Sequence, residues 1–153
     1  VKDDEVLWDL SSYQGGLDWY DCQNQMIAGR QPFMSPEVAE RELRQGVADG
    51  SIHFSYVSDM DGVINMYREG FVRAFETFNG IRGGGSKTIF YNNLGWGAAE
   101  APTLLEAIKY ADRHCDKEKM GKLFLDLSDN EFTADDKAKL TGATDGSKIK
   151  VQV

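Results

Sequence analysis

Short stretches of alternating apolar and polar residues recur along the chain, and between them lie longer stretches whose apolar positions return every three or four residues. The first period is that of a strand with one face turned inward, and the second is that of an amphipathic helix. Residues 123–132 carry the clearest strand pattern: Leu125 and Leu127 point one way, Phe124, Asp126 and Ser128 the other, and Asn130 turns the chain. Residues 6–13 have the same shape, with Trp8 and Leu10 inward and the tripeptide Asp-Leu-Ser repeated. Residues 52–59 form a third copy, with Phe54 and Tyr56 inward and Asp59 at the turning position. In a fourth copy, residues 87–94, either Asn92 or Asn93 can turn the chain, and a slip of one residue there exchanges the two faces. Residues 148–153 alternate cleanly and predict a closing strand.

Each strand but the last is followed by a helical pattern. Ser35 before Pro36 reads as an N-cap and a first helical residue, opening a helix through Leu43 with Gly46 as its stop. A second helix is predicted from about Val63 to Phe78, its buried stripe formed by Ile64, Tyr67, Phe71, Ala74, Phe75 and Phe78, with Asn79-Gly80 as the stop. A third starts near Ala101-Pro102 and carries Leu104, Leu105, Ile108, Tyr110 and Ala111. The fourth is short, from Thr133 as N-cap to Leu140.

Strand, turn and helix in repeated order, without short hairpins, predict an α/β domain of about five parallel strands over residues 1–153, because every crossover contains a helix. Two architectures satisfy this. A β/α solenoid stacks its helices on one side and leaves the other face of the strands open, whereas a doubly wound sheet carries helices on both faces.

The motif Leu125-x-Leu127-x-x-Asn130-x-Phe132, followed by a helix carrying Leu140, resembles the Leu-x-Leu-x-x-Asn-x-Leu core of leucine-rich repeats, especially the longer ribonuclease-inhibitor-like class with a helix in each unit. The run Ile89-x-x-Asn92-x-Leu94, with Gly95 after it and Leu104-Leu105 in its helix, is similar. The likeness is clearest over residues 87–153. In the first half only the strand shape matches, Tyr13 and Asp59 stand where the Asn belongs, and the repeats are irregular in length. The resemblance implies a short, irregular repeat domain that binds other proteins through the outward residues of its strands. That ladder is Asp9 and Ser11, His53 and Ser55, Thr88 and Phe90, Phe124, Asp126 and Ser128, with Lys150 at its end.

Composition narrows the partners. With 41% apolar and 27% charged residues the chain has the makeup of a packed domain, and 153 residues suffice for one core. A formal charge of −8 repels phosphate backbones, which excludes nucleic acid as the expected partner, and no apolar run reaches the roughly 20 residues of a membrane span. Aromatics beside carboxylates on the ladder suit protein recognition. The first loop, residues 13–34, is long and adds Trp19 and Tyr20 as candidate anchors. The reading is therefore an accessory or scaffolding subunit, not an enzyme, docked on other protein subunits of a larger assembly, membrane-associated or free. The chain opens at Val1 without an initiator Met, which points to a processed protein of an organelle, plastid or mitochondrion, or of the extracellular space.

Other chemistry was weighed. Residues 59–64 have the acids, Gly and Ile of the centre of a calcium loop, but the last ligand position falls on Arg68, so a polar turn is the better reading. Residues 83–88 have the letters of a phosphate loop in the wrong context, after a helix and before a strand. His114 beside Cys115 reads as complementing a helix end, not as activating a nucleophile. Cys22 and Cys115 are two separate thiols or one long-range disulfide. No cofactor and no metal are expected. The rival to the binding module is a small doubly wound enzyme or ligand-binding protein, whose pocket would gather Ser12, Asp59, Asn92, Asn93, Asp129 and Asn130 at the carboxyl ends of the strands.

Overall fold

The computed structural model describes residues 32–77 and 86–153. Two helices come first, α1 (Pro36–Asp49) and α2 (Ser58–Thr77). Strand β1 (Ser86–Phe90), helix α3 (Ala101–His114), the single turn α4 (Lys117–Met120) and strand β2 (Lys122–Asp126) follow. Helix α5 (Ala134–Ala143) and strand β3 (Ile149–Gln152) complete the order. The fold is mixed α/β, and the described sheet has three parallel strands in the order β1-β2-β3.

Local chemistry explains the element ends. Ser35 caps α1, its Oγ accepting from the backbone N of Val38 at 3.2 Å, and Pro36 fills the first turn. The stop lies later than Gly46. Gly50 takes a left-handed conformation (φ 81°) and ends the helix, while Gly46 is buried within it, where a Cβ would lie 2.5 Å from Ile52 Cδ1. Gly46 thus serves close packing rather than termination. Thr133 opens α5 through a reciprocal capping box with Asp136, as its position in the sequence foretells. The short α4, capped by Asp116, was not anticipated from the apolar pattern because one turn is too short to show a period.

The expected strand over residues 52–59 does not form. Ile52 N donates to Gly46 O at 2.9 Å, folding the chain back on α1, and α2 begins at Ser58, five residues before the predicted start. Tyr56 and Val57 are 72% and 79% exposed, so the inward pair of that copy is broken. Asp59 and Asp61 sit instead in the first turn of α2, where carboxylates complement the positive end of the helix dipole, which also removes the calcium-loop geometry. The strand predicted over residues 6–13 lies outside the described residues.

The core forms on one side of the sheet. Ile89, Leu123, Leu125 and Ile149 are buried against Leu104, Ala107, Ile108 and Ala111 of α3, Met120, and Leu140 of α5. Register puts Ile89 beside Leu125 and Leu125 beside Val151, so one apolar row crosses all three strands, with Leu123 and Ile149 paired in another. Each such side chain moved out of water contributes about 1.5–3 kcal/mol. Helix α3 touches α2 on one flank and α5 on the other. At the α2 flank Phe71 meets Tyr110 edge-on at 5.4 Å, and Phe33 lies 5.5–5.9 Å from Phe71, Phe75 and Tyr91. Opposite the core, Phe124 is 38% exposed and Lys150 beside it is exposed.

The two faces of β2 should differ in their tolerance. Leu125→Ala is expected to destabilise by about 2–5 kcal/mol, as buried leucines do, and Phe124→Ala by about 1 kcal/mol or less, both read as shifts of the denaturant midpoint. Equal losses would mean that both faces are packed.

Candidate functional site

Beyond the carboxyl ends of β1 and β2 the chains continue side by side. Tyr91 N donates to Asp126 O at 2.8 Å, Asn93 N to Ser128 O at 3.0 Å, and Glu131 N to Trp96 O at 2.7 Å. Asn93 and Asp129 both take φ 57°, a left-handed conformation that Asn and Asp tolerate better than most residues. The pair extends the strand register, in which Ile89 stands beside Leu125, so Tyr91 is the counterpart of Leu127, Leu94 of Asn130, and Trp96 of Phe132. This corrects the expected alignment of Asn92 with Asn130. Of the two candidate turning residues in the β1 loop, Asn93 has the turning conformation, and in the β2 loop Asp129 rather than Asn130 has it.

Asn130 does something else. Its Oδ1 accepts from Leu94 N at 2.9 Å and Trp96 N at 3.1 Å, and its Nδ2 donates to Tyr91 O at 2.8 Å and Leu127 O at 2.9 Å. All four hydrogen-bonding positions of the amide are used, binding one loop to the next. Trp96, buried to 4% exposure, packs in the core and stacks on Tyr91 at 5.4 Å. Sequence reading missed Trp96; the signal was its spacing from Phe132, equal to that of Ile89 from Leu125.

On the face opposite the core, register places Thr88, Phe124 and Lys150 in one row and Phe90, Asp126 and Gln152 in the next. Four of the expected ladder residues, Thr88, Phe90, Phe124 and Asp126, therefore share a face, with Ser128 just beyond. Phe90 does not offer a contact surface: it is 8% exposed, and removing a ring of that size from water is itself favourable. Asp126 Oδ1 accepts from both the N (3.1 Å) and the Oγ (2.5 Å) of Ser128, so the acid and the hydroxyl hold each other. Phe124 is then the large apolar group that this face presents among the described residues. His53 and Ser55 are exposed but lie in the irregular segment before α2, off the ladder, because their strand does not form. Asp9, Ser11, Trp19 and Tyr20 lie outside the described residues.

Of the residues of the rival pocket, Asn92, Asn93, Asp129 and Asn130 lie on the two adjoining loops beyond β1 and β2. Asp59 is in the first turn of α2, Asn130 is committed to backbone, and Ser12 lies outside the described residues. Cys115 is a free, buried thiol whose pKa is pushed up to about 11 by burial and, secondarily, by Glu76. His114 turns away to stack on Tyr110 at 4.3 Å, with Nε2 3.9 Å from Glu37. Cys22 lies outside the described residues. Among the described residues no three His, Cys, Asp or Glu are grouped to hold a metal ion, and no helix is long and apolar enough to cross a membrane. No family model, curated protein or solved structure matches the chain.

Two outcomes follow. Asn130→Ala is expected to cost about 3 kcal/mol, since several buried backbone groups lose their partner. Asn130→Asp keeps the acceptor but sets a carboxylate against the carbonyls of Tyr91 and Leu127, which raises its folded pKa above the unfolded value near 4. Its deficit should therefore be smallest below about pH 4 and grow as pH rises through and above that value, measured by urea unfolding at a series of pH values. At Cys115, alkylation at pH 8 followed by peptide mass mapping should be far slower in the folded chain than in urea, the thiol being protonated and covered; equal rates would contradict the buried thiol.

Proposed function

We propose that the chain is a leucine-rich-repeat-like binding module whose open sheet face docks onto another protein subunit. The observation that carries this reading is Phe124, which stands exposed between Thr88 and Lys150 while the helices pack on the opposite side of the sheet. A ring flanked by a hydroxyl and a cation, with the Asp126 carboxylate in the next row, combines an apolar anchor with polar groups that orient a partner. The stacking of loop on loop through Asn130 supports the repeat reading, since it is the kind of contact by which one strand-and-helix unit is held on the next. A doubly wound sheet would bring helices to both faces; the exposure of Phe124 and Lys150 favours the one-sided arrangement.

The test is size exclusion of the tagged full chain purified from its source under mild conditions. The chain is expected in an assembly well above its 17.1 kDa, from which Phe124→Lys releases it as a folded monomer while Lys139→Glu, on the exposed side of α5, does not. A wild-type chain that elutes alone, or a Phe124→Lys chain still in the assembly, would overturn the reading.

A further inference from the structure

The groove between α1 and α2 is lined by none of the residues of the sheet face. It has a volume of about 630 Å³, and its apolar lining includes Leu43, Gly46, Ile52, Val63, Ile64 and Tyr67. Val63, Met66, Tyr67 and Gly70 follow one another at helical spacing along α2, and Met66 is 73% exposed. Tyr67 is pinned by its hydroxyl, which donates to Met34 O at 2.7 Å. The groove is thus a preformed apolar trough flanked by two helices, a geometry that accepts the apolar side of a third helix.

Charge selects the occupant. Residues 36–77 hold eight carboxylates against four arginines and no lysine. Arg44 is bound by Glu40 at 3.0 Å and Asp61 at 3.2 Å, and Arg68 by Glu40 at 3.4 Å, so two of the four cations are already neutralised. Glu42 and Asp49 line the groove against Arg41 alone. A second copy would bring the same acidic rim against this one. The chain's own residues 1–31 are acidic too, with six carboxylates against two cations. An anionic lipid surface is repelled for the same reason.

We infer that this groove docks a basic amphipathic helix of another protein, its apolar face on Leu43, Val63 and Ile52 and its cations against Glu42 and Asp49. This site is independent of the open sheet face, so either can fail alone.

The probe is a synthetic Leu/Lys peptide patterned as an amphipathic helix, titrated into the full chain by fluorescence anisotropy, with a Leu/Glu peptide of the same pattern as comparison. The Leu/Lys peptide is expected to bind and to weaken with added salt, and the Leu/Glu peptide not to bind. Glu42→Lys with Asp49→Lys should weaken binding by about tenfold or more. Val63→Glu should weaken it similarly although it adds negative charge, whereas mere attraction of opposite charges would make this variant bind better. Phe124→Lys should leave peptide binding unchanged. Equal binding of both peptides, no binding of the Leu/Lys peptide, or unchanged binding by Val63→Glu would overturn the proposal. So would a photo-crosslinker at position 63 that, in the free full chain, couples to residues 1–31 or to a second copy.

Discussion

The Asn130 side-chain amide, together with three backbone hydrogen bonds, ties the loop beyond β1 to the loop beyond β2. Parallel strands cannot be joined by a tight turn, so each must leave the sheet through a loop whose backbone groups need partners away from the ladder. Asn130 supplies four of them: it accepts from Leu94 and Trp96 and donates to Tyr91 and Leu127. Those bonds keep the two loops in the same register as the strands and bring Trp96 and Phe132 to equivalent places in the core. An isosteric acid cannot substitute, because two of the four partners are carbonyls.

With the loops fixed, the crossover segments drop their helices onto the same side. Leu123 and Leu125 of β2 point into the layer formed by α3 and α5, and alternation leaves Phe124 on the other side. Among the described residues the two sheet faces are unlike: helices α3 and α5 cover one, while on the other Phe90 is buried and Phe124 and Lys150 are exposed. The docking reading depends on that asymmetry. At the start of the described chain, α1 and α2 add a second apolar surface through α2's packing beside α3, with a different, acidic character.

Where the sequence was informative, it was so through period and caps. Alternation at Leu123, Leu125 and Leu127, the Ser35-Pro36 and Thr133 starts, and the stripe of α3 are local signals, and the folded chain follows them. Residues 52–59 show where such signals fail. Their alternation is as regular as that of β1, but Gly46 lets Ile52 pack back onto α1, and Ser58, Asp59 and Asp61 favour a helix start, so tertiary packing and capping override the strand pattern. Of the site, the shared face of Thr88, Phe124 and Asp126 was legible because alternation assigns faces, whereas the burial of Phe90 and the mutual bonding of Asp126 and Ser128 depend on neighbours that a one-dimensional pattern does not contain. The role of Asn130 was half legible: its motif position was evident, but its partners lie 34 to 39 residues away.

The one-sided sheet is tested most directly by hydroxyl-radical footprinting of the isolated full-length chain, read residue by residue on the peptide spanning β2. The expected result is ready oxidation of Phe124 beside protected Leu123 and Leu125. Protection of all three side chains in the isolated monomer would mean that both faces of the sheet are covered, and the open docking face would not exist.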